Sequence, residues 1–169
     1  MKRIVISFVL IFSLITVYGQ TSIPKAQAMF IYNFSRLINW PASDRTGPFI
    51  IGSVGKSEAG TEIKTFLTGK MVGSQSIVIK EFATAAQVEK CHILFVPFDQ
   101  TKNMEQIVAK IGTSSTLIIG EKASALDAGA TIIFSVIASK LKYEIKPANG
   151  EKSGLAISSR VNEMAFKVH

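Results

Sequence analysis

Gly52-Ser53-Val54-Gly55-Lys56-Ser57 is the segment of this sequence that looks most like a piece of chemistry. A glycine-rich turn ending in Gly-Lys-Ser, set between a strand and a helix, is how a phosphate loop aims backbone N–H groups and a lysine at a nucleotide. Such a loop needs another glycine five residues before the Gly-Lys pair, and that position is Ile50, inside the expected strand. The turn is too short to wrap phosphates. The histidines are His92 and His169. His92, beside Cys91, would hold a metal only with ligands from elsewhere in the chain; a strand-start histidine bonded to backbone is the simpler role. No serine sits in a nucleophile elbow, and His92 would be the base for any such serine. Asp44, Asp99 and Asp127 fall in expected loops or near helix ends, where surface and capping roles suffice. The residues therefore predict no catalytic group, no metal site and no cofactor.

The elements that would position these residues alternate. Residues 22–39 read as a helix capped by Ser22, with Pro24 in its first turn and Pro41 as its stop; Ala26, Phe30, Phe34 and Leu37 form its apolar stripe. Apolar runs at 49–54, 76–79, 92–96 and 116–119 predict buried strands. Between and after them, 58–68, 83–89, 102–110 and 122–127 predict short helices. This rhythm predicts a three-layer α/β domain, a mostly parallel sheet with helices on both faces. Thr131 to Ile137 and Leu141 to Ile145 are too close for a crossover, so they predict a C-terminal antiparallel hairpin strand. The alternation of Leu141, Tyr143 and Ile145 with Lys140, Lys142, Glu144 and Lys146 reads as a lysine-protected edge. A last helix is expected from Gly154 to Val168, with Leu155, Ser158, Val161, Ala165 and Val168 on one face.

Lys2 and Arg3, an apolar run from Ile4 to Val17, and Val17-Tyr18-Gly19 before Gln20 follow the order of a secretory signal peptide. The apolar run is about 14 residues, against roughly 20 for a membrane span. Residues 1–19 are thus expected to be removed, leaving one domain over 20–169. The formal net charge of +7 comes from dispersed lysines without a basic block, so no nucleic-acid groove is implied. Cys91 is the single cysteine and cannot close an intrachain disulfide. It either packs as a small hydrophobe or pairs with a second chain, which makes it the redox candidate.

Four stretches in order carry a resemblance: Ile31-Tyr32-Asn33-Phe34 with Asn39-Trp40-Pro41; Cys91-His92-Ile93-Leu94-Phe95-Val96; Tyr143-Glu144-Ile145; and Gly154-Leu155-Ala156-Ile157-Ser158-Ser159-Arg160 continuing to Met164-Ala165. At these spacings, behind a signal peptide, they resemble the YfiR-like periplasmic family over nearly all of residues 25–168. The resemblance implies a non-catalytic periplasmic repressor. It would bind a membrane-bound sensor protein, a diguanylate cyclase or a histidine kinase, and in the namesake type keep cyclic di-GMP low. Homodimers are expected. Redox control in the namesake type uses cysteine pairs, so with Cys91 alone that control does not carry over. Lys146 stands where the hairpin element usually ends in Asn.

A regulator of this kind needs a patch whose burial differs between two partner states. Aromatic and arginine anchors favour such patches. By residue type the partner-binding candidates are Trp40, Arg160, Ser159 and Phe34. Trp40 and Phe34 are equally readable as core, and Arg160 as half of a surface salt bridge. The alternative is a periplasmic small-molecule binding module, with its crevice beyond the carboxyl ends of the strands, near Gly55, Lys56, Pro97, Asp99, Gly120 and Glu121.

Overall fold

The structure, a computed structural model, describes residues 21–169. The signal peptide expected over 1–19, with its cut before Gln20, lies outside the described residues. Helix α1 (Ile23–Leu37) starts where Ser22 accepts from the Lys25 N–H and Pro24 occupies the first turn. It stops at the end of the apolar stripe, two residues short of the expected limit at 39. Trp40 precedes Pro41, which disfavours helix there, and the β-branched Ile38 opens a short strand β1 (Ile38–Asn39).

Next come β2 (Phe49–Val54), α2 (Glu58–Leu67), β3 (Met71–Val72) and β4 (Gln75–Phe82). After these, β5 (Ile93–Phe95), α3 (Met104–Ile111), β6 (Leu117–Gly120) and α4 (Ser124–Asp127) continue the alternation. The segment expected as a helix over 83–89 is a single 3₁₀ turn, Ala85–Gln87, and another 3₁₀ segment, Phe98–Asn103, leads into α3. The hairpin arms are β7 (Ile132–Ile137) and β8 (Lys140–Ile145). The chain ends with α5 (Pro147–Lys152), β9 (Ala156–Ile157), α6 (Ser159–Glu163) and β10 (Lys167–Val168).

The main sheet runs β10-β8-β7-β6-β5-β2-β4-β3. Strands β4, β2, β5, β6 and β7 are parallel, and β8 returns antiparallel beside β7. The expected fold class is what the chain adopts. Alternate strand residues feed two cores. Ile51, Ile93, Phe95 and Ile119 pack under α1 and α2 with Ile31, Phe34, Ile63 and Leu67. Leu94, Val96, Ile118 and Ile133 pack on the other face against Met104 and Ile107 of α3 and Leu126 of α4.

Two further expectations give way. The continuous helix over 154–168 is instead strand, short helix, strand. Gly154 sits at φ +73°, the left-handed region, and α6 is only five residues long. Phe166 and Val168 alternate with Lys167, a strand pattern that β8 captures through Phe166 N–H to Tyr143 C=O and His169 N–H to Ile145 C=O. The helical spacing of Leu155, Val161 and Val168 was coincidence: the first two are buried and Val168 is exposed. For the same reason β8 is not the edge strand; β10 lies outside it, pairing Lys167 with Glu144 and Val168 with Ile145. Strand β3, a two-residue antiparallel partner of β4, forms the opposite edge and is too short to leave a periodic signal.

Candidate functional site

The turn that mimics a phosphate loop does helix-capping work. The Ser57 hydroxyl accepts from the Gly60 N–H at 3.0 Å, and the Gly55 N–H donates to Phe82 C=O. Gly52 is needed for packing: a Cβ there would lie 2.7 Å from the Phe82 ring and 2.9 Å from Leu94. Beyond the carboxyl ends of the strands, Glu121 is already engaged, accepting from Gln27 Nε2 and from the Phe98 N–H. Gln100 packs over Gly55. The space left there is a groove of about 240 Å³.

The Cys-His pair is architectural. His92 Nδ1 accepts from the Ile50 N–H at 3.0 Å, so Nε2 carries the proton and donates to the Asp44 carbonyl at 2.8 Å. The ring stacks on Phe49 at 4.3 Å between centroids, and Trp40 stands edge-on to Phe49 at 5.0 Å. The Asp44 carboxylate accepts from Lys90 Nζ at 2.6 Å. Desolvation pushes that carboxyl up, but the Lys90 ammonium, the Ser115 hydroxyl and His92 outweigh it and hold the group below the usual carboxylate range. Cys91 is 2% exposed, and burial pushes its thiol up to about 12. Among the described residues no group of three or more His, Cys, Asp or Glu could hold a metal ion.

The candidate partner-binding residues separate by depth. Phe34 is fully buried, edge-on to Tyr143 at 5.0 Å. Trp40 is 4% exposed, with its indole N–H unpartnered among the described residues. Ser159 and Arg160 are exposed at the start of α6. Yet Trp40 and Arg160 belong to one region, because β1 pairs antiparallel with β9: Ile38 opposite Ile157, Asn39 opposite Ala156. Tyr143 ties in the last motif by donating its hydroxyl to the Val161 carbonyl of α6. The four sequence stretches thus weld α1, β5, β8 and α6 together.

On the surface of this weld lie two depressions that share Arg36, a residue that sequence reasoning did not single out. One, of about 410 Å³, lies at the amino ends of β2 and β4 and is lined by Arg36, Trp40, Arg45, Phe49 and Gln75 among others. The other, of about 340 Å³, is lined by Asn33, Arg36, Leu37, Arg160 and Met164. Arg45 is held in place by its Nε donating to the Trp40 carbonyl at 2.8 Å. Nothing in the helical pattern of α1 distinguished Arg36 from any solvated arginine; only the β1–β9 pairing brings it between Trp40 and Arg160.

Residues 24–165 match the YfiR/HmsC-like family, across all four stretches. The chain belongs to that family. Solved structures with the same fold include a conserved domain protein from Vibrio cholerae O1 biovar El Tor, at TM-score 0.61 and 12% identity, covering 85% of this chain. Another is an ABC domain in complex with L-Trp from Streptococcus pneumoniae, at TM-score 0.59 and 12% identity, covering 86% of this chain. The matched regions span 60% of each of those chains. No curated protein matches this YfiR/HmsC-like chain significantly. Among its described residues no helix is long and apolar enough to cross a membrane.

Proposed function

We propose that this YfiR/HmsC-like chain is a non-catalytic periplasmic regulator that binds and restrains a membrane-anchored signalling enzyme, a diguanylate cyclase or a sensor histidine kinase. The observation that carries the reading is the family match over 24–165. The surface around Arg36 supports it. Arg36, Arg45 and Arg160 beside Leu37 and Met164 combine the guanidinium and apolar groups that dominate binding energies at interfaces. Ser159 flanks Arg160 on the same helix. Trp40 and Phe34 are buried, so in this conformation they support the surface from beneath. The regulator works as a homodimer, which sedimentation equilibrium measures directly.

The test is capture of membrane proteins by the tagged chain, followed by assay of the recovered enzyme with and without added regulator. The expected result is a membrane-anchored cyclase or kinase whose activity falls when the chain is added. Replacing Arg36 and Arg160 together by alanine should weaken the complex at least tenfold, about 1.4 kcal/mol, while thermal stability stays near wild type. Recovery of the chain alone, or an enzyme indifferent to it, overturns the reading. The 410 Å³ depression favours a second reading, a small-molecule binding module, since its volume lies in the range of ligand pockets. The pneumococcal neighbour's bound L-Trp supports trying amino acids first. A ligand at a hundredfold its dissociation constant would raise stability by about 2.7 kcal/mol in a thermal-shift screen.

A further inference from the structure

At the opposite end of the sheet the β7–β8 hairpin outruns its neighbours. Strand β6 pairs with β7 only as far as Ile133, and the segment around β10 reaches β8 no farther out than Tyr143. Phe134 and Tyr143 are still covered by Phe30 and Phe34 of α1. From Ser135 and Lys142 outward the two arms form a ribbon with no other strand beside it among the described residues, projecting roughly 10 Å at ~3.3 Å per residue. Its end is apolar. Val136 is 58% exposed and Ile137 is 37% exposed. As consecutive strand residues they point to opposite faces. The turn between the arms is Ala138-Ser139, both at positive φ (+48° and +60°), where Asn-Gly would be at ease. The turn residues are small and uncharged at a place where the backbone favours something else.

We propose that this hairpin tip, with the neighbouring Phe98, is an insertion finger for the surface of an anionic phospholipid bilayer. Phe98 is 58% exposed and borders, with Val136 and Leu141, the 240 Å³ groove at this end. A protein seated on one face of the ribbon would leave the other apolar residue in water. A bilayer surrounds the tip and takes both. Lysines flank the apolar end, Lys140 at the level of the tip itself. Lys140 is paired with Ile137, Lys142 with Ser135, and the Lys122 ammonium lies 3.9 Å from the centre of the Phe98 ring. Long lysine side chains can lay their stems on apolar surface and present the ammonium to lipid phosphates. Of the carboxylates nearby, Glu121 is bonded to Gln27 and the Phe98 N–H, and Glu144 to His169; Asp99 is exposed. The balance at the tip is positive. The inference goes beyond the partner reading and stands without it, since lipid alone is the ligand.

The experiment is co-sedimentation of the purified protein, its amino terminus fixed by mass spectrometry, with vesicles of phosphatidylglycerol and phosphatidylcholine or of phosphatidylcholine alone. Binding is expected to the anionic vesicles and to fall with salt. Val136→Ser with Ile137→Ser should weaken it at least tenfold, and Lys140→Gln or Lys142→Gln about fivefold each, from ~1 kcal/mol per lysine near an anionic surface. Should the double variant fail to fold, an environment-sensitive dye on Ser139→Cys, with Cys91 buried, gives a second reading. Its emission should shift to the blue with anionic vesicles. No sedimentation with anionic lipid, equal binding to neutral lipid, wild-type binding by the folded double variant, or an unmoved dye spectrum overturns the proposal.

Discussion

Tyr143 donates its only hydroxyl proton to the Val161 carbonyl, in a pocket whose burial raises the phenol to about 12. Tyr143→Phe should therefore cost about 0.5–1.5 kcal/mol in urea unfolding, while keeping the ring packed on Phe34. Phe34→Ala removes the ring itself and should cost about 3–5 kcal/mol. Cys91 tests burial more directly. Its thiol, raised to about 12, should resist a neutral-pH thiol reagent in the folded protein and react fully once denaturant is added. Asp44 gives a pH signature. Its folded carboxyl titrates below the unperturbed value near 3.8, so its contribution is complete above that value and lost as pH falls through the folded one. The gap in urea midpoint between wild type and Asp44→Asn should then be flat through neutral pH and shrink only in acid below about pH 4. These residues show what was legible. Cys91 and Phe34 read as core from their apolar neighbours and His92 as bonded to backbone, whereas the identity of its partners, Ile50 and Asp44, required the fold that lays them across its ring.

At the level of elements, the strands of the parallel sheet announced themselves because both their faces are covered and their sequences are continuously apolar. The carboxyl-terminal segment did not. Its apolar residues fall at helical spacing, yet Ala156, Ile157, Lys167 and Val168 pair with strands that only tertiary structure supplies. Short strands draw their stability from partners, so they leave little periodic trace in sequence. The β7–β8 turn belongs to this scale too. Replacing Ala138 by Asn and Ser139 by Gly should stabilise the protein by about 1–2 kcal/mol, because both positions then occupy favourable positive-φ conformations. Differential scanning calorimetry reads the gain. An unchanged or lower midpoint would mean the finger's conformation is not the one described.

Taken as a whole, the molecule has two functional-looking ends. Arginines surround two depressions at the amino ends of the strands, while lysines and bare hydrophobes gather at the carboxyl ends. Neither end has a constellation that sequence motifs encode, since each is assembled from residues distant in the chain. Arg36 and Arg160 come together through one pair of two-residue strands. That small ribbon has a mechanical meaning. It is a clasp fastening the segment after the first helix to the run that precedes the last one, outside the eight-stranded sheet. A chain ended at Ser153 would keep the parallel strands β4, β2, β5, β6 and β7 but lose β10 and unfasten the clasp, letting water reach the Trp40 indole and shifting its fluorescence to the red. A hand that tugs on the tail of this protein is felt at its single tryptophan.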